Sequence, residues 1–539
     1  MASGGRAGRS ERTASCFLLC VLVSVASLAS GCRVDENDIH RWETTVNGPE
    51  KLRAVLTHDK YEPSLQVEAA LSLIRMKPRQ GRHVGFNILI EALTLVPAEA
   101  RRPILSALIP TLTAELKRPP PLAAPPGQPP PEDPSYPYKD AAYALLSAEP
   151  PIVTEEAQQQ SLKTALIDWS LADFERRFDN RRQTYGMEQL LRVMGASGVV
   201  GLPKLLTREA RRLDQMSSLI AELGDAATKA EASRQLAGLA QWILSEDWLK
   251  EKKPELQRAN EASKLAPTAE QFQAQLAQYQ DEEFFRLLGS MRKLGGRPVV
   301  DLLLRIAADK TQGEKRRQAA LAALEKQLDK SNPDDLRGIF EIVTSDPPDA
   351  VLDQAFRRIG ELPRAEVANK LYGLFKTDKW KVRRAAAATL LKLSNVSHVD
   401  EFMSKLPGPR GFALPEAITY GALLGDLKEG SVLDALRPHF SSGSSSARTS
   451  ALAYYFTFGT SEDASALAPF GSDPTRAPTC DADPDCSWRC EVLKEGSSER
   501  EQKEINTVGE FVRYCVEPAV RERNPEPKQG KNVGLEKTE

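Results

Sequence analysis

The sequence is poor in the residues on which catalytic centres and sheet-rich domains depend. Phe, Trp and Tyr together make up 6% of its 539 residues, and only five histidines occur, at His40, His58, His83, His398 and His439. These histidines lie far apart without the spacing of metal ligands, and no HExxH, GxSxG, P-loop or Rossmann glycine pattern occurs. We therefore expect no metal, no cofactor and no enzymatic activity.

A surplus of charge of one sign is also missing. Lys and Arg number 72 against 74 for Asp and Glu. A balanced surface lacks the basic footprint that nucleic acids and anionic lipids select, so we expect neither partner to bind through charge alone. Alternation of apolar and polar residues with period 2 is nearly absent, which argues against an extensive β-sheet.

After the first thirty residues no apolar run reaches the length of about 20 residues that a membrane-spanning helix needs. The run at the start, Ala14 to Leu28, is also too short, and it follows a lead that carries Arg6, Arg9 and Arg12. This order is typical of a secretory signal peptide, which we predict over residues 1–31.

The signal ends in Ala29-Ser30-Gly31-Cys32, which resembles the lipobox of bacterial lipoproteins, with Ala29 where that pattern favours Leu. In that family the cysteine is lipidated and becomes the mature N-terminus, so the resemblance implies a lipid on Cys32. Arg33 follows instead of the Asp associated with inner-membrane retention, which implies the outer membrane, facing the periplasm. The alternative is an ordinary signal cleaved nearby, with Cys32 left as a free thiol.

Cysteine is absent between Cys32 and the last sixty residues, where Cys480, Cys486, Cys490 and Cys515 cluster. In an exported protein an even cluster is typical of disulfides, and four cysteines allow three connectivities. The alternative is a zinc site with four thiolates, although only Cys486 and Cys490 have the spacing of a short knuckle. We expect two disulfides that stabilise a small C-terminal region.

Alanine and leucine are plentiful, and they recur in amphipathic helices of about ten to fifteen residues separated by short breaks. Five of these helices align on an alanine, at Ala320, Ala355, Ala386, Ala417 and Ala451, with spacings of 35, 31, 31 and 34 residues. A repeat of this period is typical of solenoid or array folds. We predict an all-α fold of stacked helix pairs, with alanine where helices approach closely.

The stretch DKWKVRRAAAATL, Asp378 to Leu390, resembles the core of a HEAT repeat, with Val382, Arg383 and Ala386 in its characteristic places. In that family the Asp and Arg connect neighbouring repeats by hydrogen bonds along an inner ridge. The resemblance implies a right-handed α–α superhelix, with Asp378 and Arg383 as ridge residues. A TPR-like array has a similar period, and the alanine register alone does not separate the two.

These patterns divide the chain into seven segments. They are a signal peptide (1–31), N-terminal helical repeats (32–117), an extended Pro-rich insertion (118–138), irregular helical repeats (139–295), HEAT-like repeats (296–470), a Cys-containing C-terminal region (471–520) and a disordered tail (521–539).

Stacked helix pairs present an extended face, and such faces usually bind proteins. The candidate partner-binding residues surround one tryptophan in a basic stretch; they are Lys376, Lys379, Trp380, Lys381 and Arg384. Trp and Arg are enriched at binding hot spots, whereas the alternative is that Trp380 covers the end of its own repeat among solvated cations.

Two functions follow. The first is a lipid-anchored envelope scaffold or adaptor that binds a protein partner, whose identity the sequence does not specify. The alternative is an envelope substrate-binding protein or enzyme, with a site among the irregular central helices between Asp173 and Gln278.

Overall fold

In the computed structural model the chain is mostly helical, with 71% helix and 2% strand, which confirms the expected helical class. It divides into two compact units, Met1–Lys229 and Ala230–Glu539, and the division falls inside the predicted segment 139–295. The described residues are 34–77, 84–122, 124–125, 128, 131–179, 184–408, 414–425, 427, 430–478, 488–493 and 499–523.

The first unit is built from short helices separated by turns. Its helices are α1 (Glu36–Trp42), α2 (Gly48–Thr57), α3 (Pro63–Arg75), α4 (Val84–Leu95), α5 (Ala98–Leu116), α6 (Tyr136–Ser147), α7 (Glu156–Ala172), α8 (Phe174–Asp179), α9 (Met187–Met194), α10 (Ala196–Val199) and α11 (Leu213–Leu223), with a 3-10 turn at Leu202–Leu205.

Helices of the first unit form two rows. Helices α1, α3, α5 and α7 each pack against the next member of one row, and α2, α4 and α6 do the same in the other. Between the rows, α2 packs on α3 and α6 on α7, so consecutive helices pair as hairpins. Each helix buries an apolar stripe against its neighbours, because none is long or apolar enough to be stable alone.

The prediction of an extended Pro-rich insertion over residues 118–138 is wrong for its last three residues, which are helical. Helix α6 begins at Tyr136 and contains Pro137 in its first turn. Proline is tolerated there because the backbone N–H groups of a first turn have no partner inside the helix.

The second unit starts with long helices and continues with shorter ones. Its α-helices are α12 (Ala226–Ile243, whose first four residues precede the boundary), α13 (Glu246–Ala262), α14 (Ala269–Leu294), α15 (Arg297–Ala308), α16 (Glu314–Ala323), α17 (Pro333–Thr344), α18 (Asp349–Ile359), α19 (Arg364–Leu374), α20 (Trp380–Lys392), α21 (Val399–Ser404), α22 (Leu414–Leu424), α23 (Val432–Leu436), α24 (Ser445–Phe458), α25 (Ala464–Leu467), α26 (Val508–Phe511) and α27 (Glu517–Glu522).

Helices α13 and α14 form an antiparallel hairpin within the segment predicted as irregular repeats. The ring of Trp248 lies 5.3 Å from that of Tyr279 near its base. Closer to its tip Asn260 donates a hydrogen bond to Gln275 at 3.0 Å. A polar pair of this kind fixes the register in which two helices meet.

Every second helix from α14 to α24 belongs to one row, in which α14, α16, α18, α20, α22 and α24 pack in succession. The five alanines that align in the sequence lie on the last five of these helices, and each is fully buried: Ala320, Ala355, Ala386, Ala417 and Ala451. The alanine register therefore corresponds to a single line of close helix contacts. Helices α15, α17 and α19 pair with their successors as hairpins.

The C-terminal region covers the last helix of this row. Strands β1 (Arg489–Leu493) and β2 (Arg500–Glu504) pair in an antiparallel hairpin, and α27 packs on α24. Arg523 donates to the backbone oxygen of Gly459 at 3.1 Å and to that of Phe456 at 2.5 Å. The prediction of a disordered tail from residue 521 is thus wrong for its first three residues, because α27 and these bonds hold them in place.

None of the described helices combines the length and apolar character needed to cross a bilayer.

Gly421 on α22 lies at a close backbone contact of the row. A Cβ added there would lie 2.5 Å from the carbonyl carbon of Ala453 on α24, whereas one added at Gly373, on α19, would meet nothing within 4 Å. We expect Gly421→Ala to lower the free energy of unfolding by about 1–3 kcal/mol through overpacking. The matched change Gly373→Ala should raise it by roughly 0.5–1 kcal/mol, because alanine favours a helix.

Urea unfolding of the two variants, followed by circular dichroism, measures both changes. A Gly421→Ala variant as stable as the parent would contradict the close packing of α22 on α24.

Candidate protein-binding groove

A groove with an apolar floor lies where α18, α20 and α22 stand side by side. Leu352 and Phe356 of α18 contribute largely buried side chains to it, and Ala385, Ala388 and Leu423 are half-buried. The alanines keep the floor low because they project only a methyl group between longer neighbours. An accessible apolar surface of this kind can bury side chains of a partner.

The rim of the groove is charged. Four cations line it, Arg357, Lys381, Arg384 and Lys392, against two carboxylates, those of Asp349 and Asp353. Lys381 pairs with Asp349 at 3.1 Å. Within the described part of the chain, Arg357 and Lys392 have no ion-pair partner, so positive charge prevails along the rim.

Three of the five predicted partner-binding residues lie at one end of this groove. The guanidinium carbon of Arg384 stands 4.6 Å from the centroid of the Trp380 ring, a stacked cation–π arrangement. Lys381 and Arg384 line the groove, and half-buried Trp380 supports Arg384 from beside it.

The other two lie apart from it. Lys379 pairs with Asp346 at 2.5 Å, and Lys376 is exposed. The structure therefore divides the predicted cluster between the groove and the turn that precedes α20.

The predicted ridge residue Arg383 is buried and belongs to a repeated arrangement. It donates to the backbone oxygen of Thr377 at 2.7 Å. Arg317 and Arg448, which also lie three residues before an aligned alanine, donate to the backbone oxygens of Ala307 at 2.8 Å and Ser442 at 2.9 Å. Each arginine thus satisfies a carbonyl group in the segment that leads into its own helix.

The carboxylate that Arg383 meets comes from the next helix of the row. Its guanidinium lies 3.2 Å from Glu416 of α22, and both side chains are almost fully buried. The hydroxyl of Tyr420 donates to the backbone oxygen of Arg383 at 3.4 Å, and burial raises the pKa of this phenol well above its ordinary value.

Asp378, the other predicted ridge residue, is exposed, and none of the described residues forms an ion pair or hydrogen bond with it. Glu416, rather than Asp378, is the buried carboxylate beside Arg383. The reason is positional, because Asp378 lies in the turn before α20 while Arg383 points into the interface with α22.

Two of the four C-terminal cysteines form a disulfide. Cys490 of β1 bonds to Cys515, with their Cα atoms 5.6 Å apart, and both are buried. This bond links the β-hairpin to the helical turn before α27. Cys32, Cys480 and Cys486 lie outside the described residues, as does His83.

One cluster in the first unit has the composition of a metal site. Ligand atoms of Glu36, His40 and Glu68 lie within 4.8 Å of one another. However, Arg75 donates to Glu68 at 2.5 Å and to Glu43 at 2.8 Å. The guanidinium already supplies the positive charge that a metal ion would bring. We therefore interpret the cluster as an ion-pair network.

A buried polar network that the sequence did not reveal fixes the end of the Pro-rich segment. Asp133 accepts from Arg177 at 2.9 Å and from the backbone N–H of Ser135 at 3.0 Å. The Ser135 hydroxyl accepts from the Trp169 indole at 2.7 Å. The guanidinium carbon of Arg177 lies 4.2 Å from the centroid of the Trp169 ring.

Next to this network Lys139 is completely buried. Its ammonium pairs with Asp140 at 2.5 Å and donates to the backbone oxygen of Tyr185 at 2.5 Å. Burial lowers the pKa of Lys139. Both parts of the network are closed to solvent and paired internally, which is typical of structural rather than catalytic groups.

A second depression lies near the region of the alternative ligand site. Asp173, Glu175, Arg176 and Arg212 contribute to its lining together with Pro120. Asp173 pairs with Arg176, and Glu175 accepts from the backbone N–H of Arg212 at 3.2 Å. Its carboxylates are thus engaged by groups of the same depression.

No protein-family model matches the chain, and no curated protein matches it either. Among solved structures, it is similar to an engineered protein whose crystal structure comes from the Northeast Structural Genomics Consortium. That likeness has 13% identity and a TM-score of 0.26, and covers 78% of this chain and 98% of the other. A likeness at this level carries no argument about fold or function.

Proposed function

We propose that this protein is a lipid-anchored scaffold or adaptor of the cell envelope that binds a protein partner in the groove of α18, α20 and α22. In this proposal the helix hairpins and the row from α14 to α24 belong to a HEAT-like, right-handed α–α superhelix. A lipid on Cys32 holds the chain at the outer membrane, facing the periplasm.

The observation that carries the proposal is the groove itself. Its floor is apolar and its rim is charged, the arrangement of a protein interface, in which an apolar centre is surrounded by polar groups. Arg384 stacked on Trp380 adds the residue types that most often contribute the largest share of binding energy.

The compartment is supported by the start of the sequence and by the disulfide. Residues 1–31 have the order of a signal peptide and precede Cys32. The Cys490–Cys515 bond fits an oxidising environment outside the cytoplasm, where disulfides persist.

The alternative function, a substrate-binding protein or enzyme, places its site near the second depression. The carboxylates there already pair with neighbouring groups, whereas Arg357 and Lys392 of the groove remain available to a partner. This difference favours the protein-binding proposal.

Filling the groove tests the function directly. We expect Ala388→Trp to place an indole over the floor and to reduce recovery of the partner by about tenfold or more, as loss of a binding hot spot does. The measurement is quantitative crosslinking and mass spectrometry on membranes of cells that express the full chain.

The matched control is Ala259→Trp, the same change at an exposed position of α13. It should leave partner recovery at the parental level, and both variants should keep the parental unfolding temperature. Unchanged recovery with Ala388→Trp would remove the groove from the proposal.

The lipid anchor is tested by Cys32→Ser. We expect this variant to move from the membrane fraction to the soluble fraction, because the thioether-linked lipid would be its attachment to the bilayer. Immunoblots of the separated fractions, with and without high salt, report the shift. Retention of the variant in salt-washed membranes would show that another feature holds the protein there.

A further inference from the structure

We infer that the groove of α18, α20 and α22 selects an acidic segment of the partner protein, with an apolar side chain seated on the floor between acidic residues. This inference rests on the proposed function and specifies the chemistry of the partner. It follows from the charge of the rim, the position of the cations and the composition of the floor.

The rim carries more positive charges than negative ones. The Lys381–Asp349 pair is internally compensated at 3.1 Å. Asp353 is the other carboxylate of the lining, against the three further cations Arg357, Arg384 and Lys392. Two positive charges therefore remain, and complementary potentials attract a negative partner and discriminate against a basic one.

Two of the rim cations, Arg384 and Lys392, lie at opposite ends of the lining that α20 contributes. Arg384 lies in the second turn of α20, and Lys392 is its last residue, eight positions later. At a rise of 1.5 Å per residue this separation is about 12 Å along the axis. Arg357 lies in the last turn of α18, and in the alanine alignment it corresponds to Ala388, about one turn before Lys392.

Between these ends the groove is apolar. Phe356 and Ala388 lie on its floor with Leu423, so the middle of a bound segment would gain by burying an apolar side chain. A segment of about four extended residues spans about 12 Å, enough to place an acidic residue at each end and an apolar residue between them.

The last turn of a helix favours cations in any case, through the helix dipole. That effect would explain Arg357 and Lys392 as stabilising residues of α18 and α20 without any partner. The two explanations predict different results for reversal of these charges. A purely structural role predicts reduced stability and no change in binding, whereas a binding role predicts weaker binding.

An anionic membrane surface fits the groove less well than a peptide does. The exposed carboxylates of Asp349 and Asp353 line the groove together with the rim cations. A flat sheet of lipid phosphates would meet both carboxylates, whereas a narrow segment can lie between the cations and avoid them.

The test uses randomised twelve-residue peptides displayed on phage and selected on the full chain. The enriched peptides are then synthesised with a fluorescent label, and their dissociation constants are measured by anisotropy. We expect an average surplus of about two acidic residues in these peptides, to match the two uncompensated cations.

Three variants assign the binding site. Arg357→Glu combined with Lys392→Glu reverses the rim, and Ala388→Trp fills the floor. The control combines Lys253→Glu with Lys330→Glu, which changes the net charge equally at exposed positions away from the groove. We expect the rim reversal to weaken binding at least about tenfold, the control to leave it unchanged, and thermal unfolding to be similar in all variants.

Three outcomes overturn the inference in distinguishable ways. Peptides that lose binding with Ala388→Trp, yet carry no acidic surplus or tolerate the rim reversal, would refute the acidic partner while leaving a protein-binding groove. Failure to enrich any peptide, or binding that Ala388→Trp does not affect, would refute both the inference and the proposed function. Binding to phosphatidylglycerol vesicles that the rim reversal abolishes, without enriched peptides, would point to lipid instead.

Discussion

The close approach of every second helix in the second unit is the constraint on which the rest of its structure depends. Helices can approach this closely only where side chains are small, and five buried alanines and Gly421 meet that condition at successive contacts. Because these helices lie so near one another, residues from α18, α20 and α22 form one continuous groove. A larger residue on this line would separate the helices and with them the two sides of the groove.

Arginines add directional contacts to the packing of the small residues; Arg317 and Arg383 are buried, and Arg448 is half-buried. Arg317, Arg383 and Arg448 each satisfy a backbone oxygen in the segment before their own helix, and Arg383 also meets Glu416 of the next helix. A buried guanidinium is unfavourable unless it is paired, so each such contact fixes the angle at which a helix enters the row. Apolar contacts thus stabilise the row, while the hydrogen bonds and the ion pair of these arginines fix the positions of its helices.

Much of the helical arrangement was predictable because it depends on local pattern. The alanine spacing alone identifies the helices of the row. In the same alignment Arg317 and Arg448 hold the place of Arg383. The same alignment places Asp353 of one helix at the level of Arg384 in the next, thirty-one residues later. The register therefore implies that these side chains lie side by side, whereas the charge balance of the groove depends on contacts that the register does not specify.

Other features depend on contacts distant in sequence and carry no local signal. Glu416 replaces Asp378 as the carboxylate beside Arg383 because it comes from a different helix. The network around Asp133 and Arg177 joins residues 44 positions apart. The hairpin of β1 and β2 is short, and its charged, exposed strand β2 lacks the apolar alternation by which strands are recognised.

A cysteine pair on α22 and α24 tests the packing of the row most directly. A Cβ at position 421 would lie 2.8 Å from that of Ala453, and a disulfide needs about 3.5–4.5 Å between Cβ atoms, which a small outward shift provides. In the variant Gly421→Cys with Ala453→Cys, we expect mild oxidation to form this bond in the folded protein, as peptide mapping would show. If both introduced thiols instead remain free and react with maleimide without denaturant, the two helices do not stand side by side.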